Sequence, residues 1–360
     1  MLATDMVRRG ARRFGPRTAV RFEDDSLTYR QVDEAANRFA NFLRSRGIAK
    51  GDHVALLVGN GLWAISLDFA CLKAGLVRVP LNARLSVPEH ERMLRETGAR
   101  CVIHAPELSR PAGELCARID GLVAIGLGCS GAAGGPDLLA GAATAPAADP
   151  EVPLSPEDPM LLLYTSGTTG SLKAVIHTQA SYAAIVRNIL TNLVSPGPDS
   201  VMLHAASLIH ASGTFVLPYW LRGGSSAVLR GFEPKEFMAA IPRYRATEIN
   251  VVPTMLRMLF ASGAAAGADV SSLRTVIYGA SPMPRPVLEE AMDAWGPIFT
   301  QYYGQTEAPL CITVLTKEDH ADEELRGSCG FPSVDAEVRV ADDLGVPVPE
   351  GEIGEIQVRA

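Results

Sequence analysis

The chain has 360 residues, 47% hydrophobic and 20% charged, a composition that excludes extended disorder and a length that suits two or more sub-structures, each with its own core. A formal net charge of -7 and a pI near 5.6 exclude the clustered basic footprint that nucleic-acid backbones require, so no nucleic acid is expected as a partner. Six cysteines, at 71, 101, 116, 129, 311 and 329, form no CxxC pair and no metal-ligand spacing, and are read as reduced thiols of a cytoplasmic protein.

The first thirteen residues carry charge, but no apolar signal-peptide core follows them. Thr28 and Gln31 make a capping box before the stripe Val32, Ala35, Phe39, Ala40 and Leu43, and Gly47 sits where that helix should stop. The run HVALLV (53–58) reads as a strand, Leu62 to Ala74 as a helix and VRVPL (77–81) as a second strand. Val54 to Leu81 is the most apolar stretch, yet Asp68, Lys73 and Arg78 interrupt it, and no membrane span is expected. Ser86, Pro88 and Glu89 open a further helix ahead of the strand CVIHA (101–105). Residues 131–159 are rich in Ala, Gly and Pro, lack periodicity and read as a connection, with a boundary near 150.

Beyond that boundary the alternation resumes. Strands are predicted at MLLLYT, AVIHT, VMLHA (201–205), AVLR (227–230), EINVVP (248–253), TVIYGA (275–280) and from Ile298 to Tyr302. Short apolar strands separated by helices imply an α/β fold of two doubly wound βαβ sub-domains, 1–150 and 151–332, with mostly parallel sheets. From 333 to 360 the shorter alternating strands AEVRVAD and GEIQVRA suggest the start of a small barrel-like β sub-domain.

The segment YTSGTTGSLKAV places Thr165, Ser166, Gly167, Thr168, Thr169 and Gly170 between two strand-like runs, with Lys173 at the exit. Backbone N–H groups and hydroxyls of such a loop can cradle a polyphosphate, and the lysine adds a compact charge. A flexible Ser/Gly linker is the competing reading, but a linker rarely joins two strands with a lysine at its end. The loop is not a P-loop, since Leu172 and Ala174 stand where a glycine and a hydroxyl would be needed, and no GxGxxG follows a strand. Two later turns, VIYGASPMP (276–284) and QYYGQTE (301–307), end predicted strands where open α/β sheets bind ligands. Glu307 there is a candidate for holding Mg²⁺, although alone it would read as a solvated turn carboxylate, and Thr306 as a turn former.

In this order and spacing the three segments resemble those of the adenylate-forming superfamily of acyl- and aryl-CoA synthetases, luciferases and peptide-synthetase adenylation domains. YTSGTTGSLKAV is similar to the family's YTSGTTGxPKGV loop and QYYGQTE to its xxYGxTE motif, and the resemblance spans essentially the whole chain. It implies that Thr165 to Gly170 and Lys173 hold the ATP phosphates and that Gly279, Ala280 and Ser281 border the adenine. Tyr303, flanked by Gly304 and Gln305, would stack on the base; Thr306 would contact the α-phosphate and Glu307 would bind Mg²⁺. Lys173, Thr306 and Glu307 would be the catalytic set. His210 in HAASLIHASGTF falls where many such ligases carry an acyl-pocket residue, whereas a lone His in an apolar run is more often core. Tyr278, Tyr302 and Gly304 are assigned to the same pocket by strand alternation, and VVPTM (251–255) to another wall; both tyrosines are equally consistent with core positions.

The implied reaction joins a small carboxylic acid to ATP, giving acyl-AMP, and then to coenzyme A. Leu172 and Ala174 depart from the family's Pro and Gly; if residue 174 needed a positive φ, alanine would cost about 1 kcal/mol. The sequence stops at GEIQVRA, ahead of the family's ribose-binding aspartate, hinge and lysine-bearing C-terminal domain, so slow adenylation by this piece alone is expected. The alternative reading is a half-enzyme that holds AMP or a preformed acyl-adenylate without making it. A carrier-protein acceptor and a homodimer stay open.

Overall fold

The computed structural model describes residues 1–165, 173–209 and 211–359. A helix, Ala3–Phe14, precedes the antiparallel hairpin β1 (Thr18–Phe22) and β2 (Asp25–Thr28). The helix Tyr29–Ser45 begins at the predicted capping box: Thr28 Oγ1 accepts from the Gln31 N–H and the Gln31 side chain reaches back to Thr28. Then come β3 (His53–Leu57), the helix Ala64–Ala74, β4 (Val77–Pro80), the helix Val87–Thr97, β5 (Cys101–His104) and β6 (Val123–Gly126). Ser86 and Glu89 cap the second of these helices as their spacing predicted.

The second half carries β7 (Pro159–Thr165), β8 (Lys173–Thr178), the helix Gln179–Asn192, β9 (Val201–His204), β10 (Ser225–Val228) and β11 (Glu248–Val251). β12 (Thr275–Gly279), β13 (Phe299–Gln305), β14 (Ala308–Leu315) and β15 (Phe331–Pro332) follow. β16 (Glu337–Ala341) and β17 (Glu355–Arg359) pair with each other as a separate antiparallel ribbon.

Two sheets hold the rest, in the orders β6-β5-β3-β4-β7-β8 and β15-β14-β13-β12-β11-β9-β10-β1-β2. Both are parallel at their centres; the larger sheet is antiparallel at both edges and the smaller at its β7-β8 edge only, the α/β architecture that the alternating pattern implied. The boundary near 150 needs correction, because it does not separate the sheets. β1 leaves the first segment to pair with β10, and β7 leaves the second to pair with β4. The two segments exchange edge strands, a long-range hydrogen-bonding choice that local periodicity does not encode.

The aperiodic connection is pinned rather than loose. Asn37 and Asn41, on the helix Tyr29–Ser45, donate to the carbonyls of Ala147, Pro146 and Ala148 at 2.9 Å. Beneath it the fully buried Lys73 meets Asp33 at 2.5 Å, Asn37 at 2.7 Å and Asp149 at 3.1 Å, while Arg8 grips Asp149 bidentately at 2.8 and 3.0 Å. Each charge of this cluster thus has an opposite partner. Among the described residues no helix is long and apolar enough to cross a membrane.

Candidate functional site

β7 and β8 run antiparallel, with Leu163 opposite Val175, Tyr164 opposite Ala174 and Thr165 opposite Lys173. The hydroxyl-rich loop therefore springs from the end of a hairpin, its two described ends, half-buried Thr165 and exposed Lys173, side by side. Ser166, Gly167, Thr168, Thr169, Gly170 and Leu172 lie outside the described residues, as does His210. Ala174 is a strand residue and is not among the positive-φ positions, so the strain foreseen for a non-glycine there does not arise.

The YGQTE segment is a tight hairpin tip. Gln305 of β13 pairs with Ala308 of β14, leaving Thr306 and Glu307 as a two-residue turn. β14 was not foreseen, and it fixes how the motif is displayed. A Cβ on Gly304 would lie 2.4 Å from the Leu310 nitrogen and 2.9 Å from the Ala308 oxygen, so only glycine lets the returning strand approach. Glu307 is exposed and makes no ion pair among the described residues, and Thr306 is half-buried. A magnesium ion, which takes one or two carboxylates and completes its octahedron with phosphate oxygens and water, suits that single free carboxylate. Among the described residues no cluster of three His, Cys, Asp or Glu side chains forms a cage made of protein alone.

A cross-link absent from the sequence reading joins the two motifs. His177 on β8 donates from Nε2 to the Thr306 carbonyl oxygen at 2.9 Å. An acceptor on Nε2 requires the proton there, and burial, partly opposed by that bond, lowers the imidazole pKa and keeps the ring neutral. Its place four residues beyond Lys173 on a strand was the available signal.

β12 ends at Gly279, and Ala280 just beyond it lines the same cavity as Gly304, Gln305 and Thr306 of the hairpin tip. A Cβ on Gly279 would strike the Tyr302 carbonyl oxygen at 2.3 Å, and Ala280 has φ +66°, a left-handed conformation that non-glycine residues rarely hold. Tyr302 lines the central cavity, but Tyr278 does not, which corrects its assignment to the acyl pocket. The parallel register sets Tyr278 beside Gln301 and Tyr302 beside Gly279, so the two tyrosines project from opposite faces of the sheet. Tyr278 is 1% exposed and its hydroxyl meets His320 Nε2 at 2.9 Å in the core. Tyr303, on the face of β13 opposite to Tyr302, is half-buried. VVPTM likewise packs into the hydrophobic core through Val251, Met255 and the half-buried Val252 and does not reach the cavity.

That cavity, about 350 Å³, is lined from both sheets. Leu56, Val58, Ile65, Leu161 and Leu163 give it an apolar wall on one side, and Ala280, Tyr302, Gly304, Gln305 and Thr306 close it on the other. Asn60 bridges the sheets there: its amide donates to the carbonyls of Ala206 at 3.1 Å and Leu229 at 2.9 Å, and its carbonyl accepts from the Leu208 N–H at 2.9 Å. The segment leading to residue 210 is thereby held over the cavity. Arg78, paired with Asp68, is also on the wall, and burial lowers its guanidinium pKa from the ordinary value.

A sequence model of the family described as AMP-binding enzyme matches residues 7–360. The feruloyl-CoA synthase of an Amycolatopsis species is 38% identical over 348 residues, covering 95% of this chain and 66% of that protein. The medium/long-chain-fatty-acid–CoA ligase FadD8 of Mycobacterium tuberculosis is 34% identical over 93% of this chain and 60% of its own length. Among solved structures, the amide bond synthetase McbA of Marinactinospora thermotolerans superposes over all of this chain and 71% of its own, with a TM-score of 0.89 and 30% identity. The chain thus spans about two thirds of the length of the curated relatives it matches.

Proposed function

This chain belongs to the AMP-binding enzyme family, and from that premise we propose that it serves an acid–CoA ligase that activates a carboxylic acid as its acyl-adenylate. The observation that carries the reading is the cavity: an apolar compartment whose wall includes Ala280, Gly304 and Thr306, the turns that the resemblance assigns to the nucleotide. An acid seated there has its carboxylate facing the place where the α-phosphate would lie. The carboxylate attacks the α-phosphorus, pyrophosphate leaves, and the thiol of coenzyme A displaces AMP from the mixed anhydride.

In this reading the chain positions both reactants and neutralises charge, with no side-chain nucleophile. Lys173 and the loop 165–170 hold the β- and γ-phosphates, Tyr303 stacks on adenine between Gly279–Ser281 and Gln305, and the Thr306 hydroxyl holds the α-phosphate. Glu307 anchors the magnesium ion, which supplies positive charge to the phosphates. At about 350 Å³ the cavity is at the small end of ligand sites, which supports a compact acid over a long-chain one. The feruloyl-CoA synthase relative supports the same choice.

Pyrophosphate exchange across a panel of aromatic and aliphatic acids, run on this chain and on a version extended to the length of its relatives, tests the proposal. Exchange with compact aromatic acids, followed by thioester formation with coenzyme A, is the expected result. No exchange by the extended version with any acid overturns it.

A further inference from the structure

A second cleft lies at the other end of the larger sheet from the central cavity. Val201 and Ser225 open β9 and β10, Thr247 and Arg274 stand immediately before β11 and β12, and Thr18 opens β1, which runs parallel to β10. All five line a groove of about 870 Å³. The opposite ends of β9 and β12 lead to Leu208 and Ala280 on the wall of the central cavity. At about 3.3 Å per residue, these short strands hold the two sites roughly 15 Å apart.

Charge sets the groove apart. Arg17, Arg21, Arg245 and Arg274 converge on it, with Asp199 as the one carboxylate in its lining, although the chain as a whole carries a net charge of -7. Arg17 donates to the Pro198 carbonyl and pairs with Asp199 at 3.6 Å, and Arg21 donates to the Tyr244 carbonyl at 3.4 Å. Among the described residues the guanidinium groups of Arg245 and Arg274 make no hydrogen bond and no ion pair, and both side chains are exposed. Glu248, buried nearby, senses the charge of Arg274 without pairing with it. A cleft lined by one sign of charge focuses its field and concentrates the counter-ion.

Arg245 carries an independent signal. It follows the helix Pro234–Tyr244 in a left-handed conformation, φ +52° and ψ +48°, at a capping position that glycine fills without strain. A strained arginine kept on a cation-lined groove points to a use for its charge. Guanidinium forks match phosphate geometry bidentately, and four of them exceed what one monoanion balances. Thr18 and Ser225 add hydroxyls to the lining. None of the large exposed hydrophobic side chains lies in the groove, so it lacks the apolar anchors by which a protein surface enters a bilayer.

We propose that this groove is a binding site for a soluble multivalent phosphate anion, separate from the turns assigned to the nucleotide. The inference does not depend on the acid-activating reading of the central cavity.

The test is isothermal titration of the chain with inorganic tripolyphosphate at about 0.15 M ionic strength, where loose surface attraction is screened. A saturable site is expected that persists in Lys173→Gln, whose change lies in the nucleotide loop. Arg274→Gln and Arg245→Gly are each expected to weaken it at least about tenfold, the loss of one charged hydrogen-bonding group. Arg245→Gly is also expected to melt no lower than the wild type, because glycine relieves the left-handed strain; a role in the fold alone would lower stability and leave the affinity of the folded protein unchanged. Should Arg245→Gly fold poorly, Arg274→Gln, which alters no helix cap, decides. Absence of saturable binding, or equal affinity in the wild type and both groove variants, overturns the proposal and leaves the ligase reading standing. Sedimentation with phosphatidylserine vesicles, but not with phosphatidylcholine vesicles, of a chain that takes up no tripolyphosphate also overturns it and assigns the arginines to a lipid surface.

Discussion

His177 and Thr306 are joined by a hydrogen bond of 2.9 Å, so the strand that leaves the Ser/Thr/Gly loop is tied to the hairpin tip that carries Thr306 and Glu307. Two residues 129 apart in the chain, each beside one of the motifs, are therefore linked directly. A neutral hydrogen bond contributes about 1 kcal/mol, close to fivefold in an equilibrium constant. His177→Ala is expected to weaken binding of a sulfamoyl-adenosine analogue by roughly that factor, and His177→Gln, which keeps an N–H donor, by less. Titration calorimetry distinguishes this from a purely structural role, in which melting temperature would fall and affinity of the folded protein would not.

The histidine also gives the link a pH dependence. Burial lowers its pKa, so its contribution to stability is complete above the ordinary imidazole value near 6.5 and is lost as pH falls through the depressed value.

Asn60 supports the opposite wall. One side chain satisfies three backbone groups, on Ala206, Leu208 and Leu229, and it does so from the other sheet. With about 0.5–1.5 kcal/mol per bond, Asn60→Ala is expected to cost about 2–4 kcal/mol in urea denaturation. The amides of residues 205–209 should lose hydrogen-exchange protection before the strands β9 and β10 do.

Much of this was legible in the sequence. Capping boxes at Thr28/Gln31 and Ser86/Glu89 and the short apolar runs located helices and central strands, because those signals are local. The motif turns announced Gly304, Thr306 and Glu307 through their residue types. Which sheet β1 and β7 would join was not legible, since edge pairing is decided between distant segments. Asp68, Lys73 and Arg78 read only as interruptions of an apolar stretch. A charge pattern gives no partner, and in the fold Lys73 has become a structural centre and Arg78 part of the cavity wall. Tyr278 was misplaced for a similar reason: alternation along one strand fixes faces only once the register with its neighbour is known.

The Lys73 centre makes its own prediction. Its ammonium is fully buried between Asp33 and Asp149, whose side chains are about a quarter exposed. Removing a buried partner typically costs 3–5 kcal/mol, and the partial exposure of the carboxylates places Lys73→Met near the lower end, at about 3 kcal/mol. Burial alone would raise the Asp149 pKa, but the bonds from Arg8 and the Glu151 N–H, together with Lys73, outweigh it and hold the carboxyl well below its usual range. Its stabilising share is therefore present at neutral pH and lost as pH falls below about 4, where the unfolded chain begins to take up the proton. Acid titration followed by circular dichroism should show Asp149→Asn flattening that part of the profile.

Glu248 presents the reverse sign. It lies at the start of β11, 8% exposed, and bonds the hydroxyl of Thr247. Burial, the largest influence, raises its pKa above the ordinary carboxylate value despite that bond and the more distant charges of Arg274 and Lys317. The folded state therefore takes up the proton more readily than the unfolded one. Folding gains from that protonation below the usual glutamate value near 4.5, and the gain is lost as pH rises through the raised value. Glu248→Gln keeps the shape and an oxygen acceptor for Thr247 without the charge. It is expected to match the wild type in acid and to melt at a higher temperature at pH 7. A melting-temperature series from pH 4 to pH 8 checks this. A variant destabilised by the same amount at every pH would show that Glu248 acts through packing, whereas a difference that opens as pH rises identifies the buried charge as the cause.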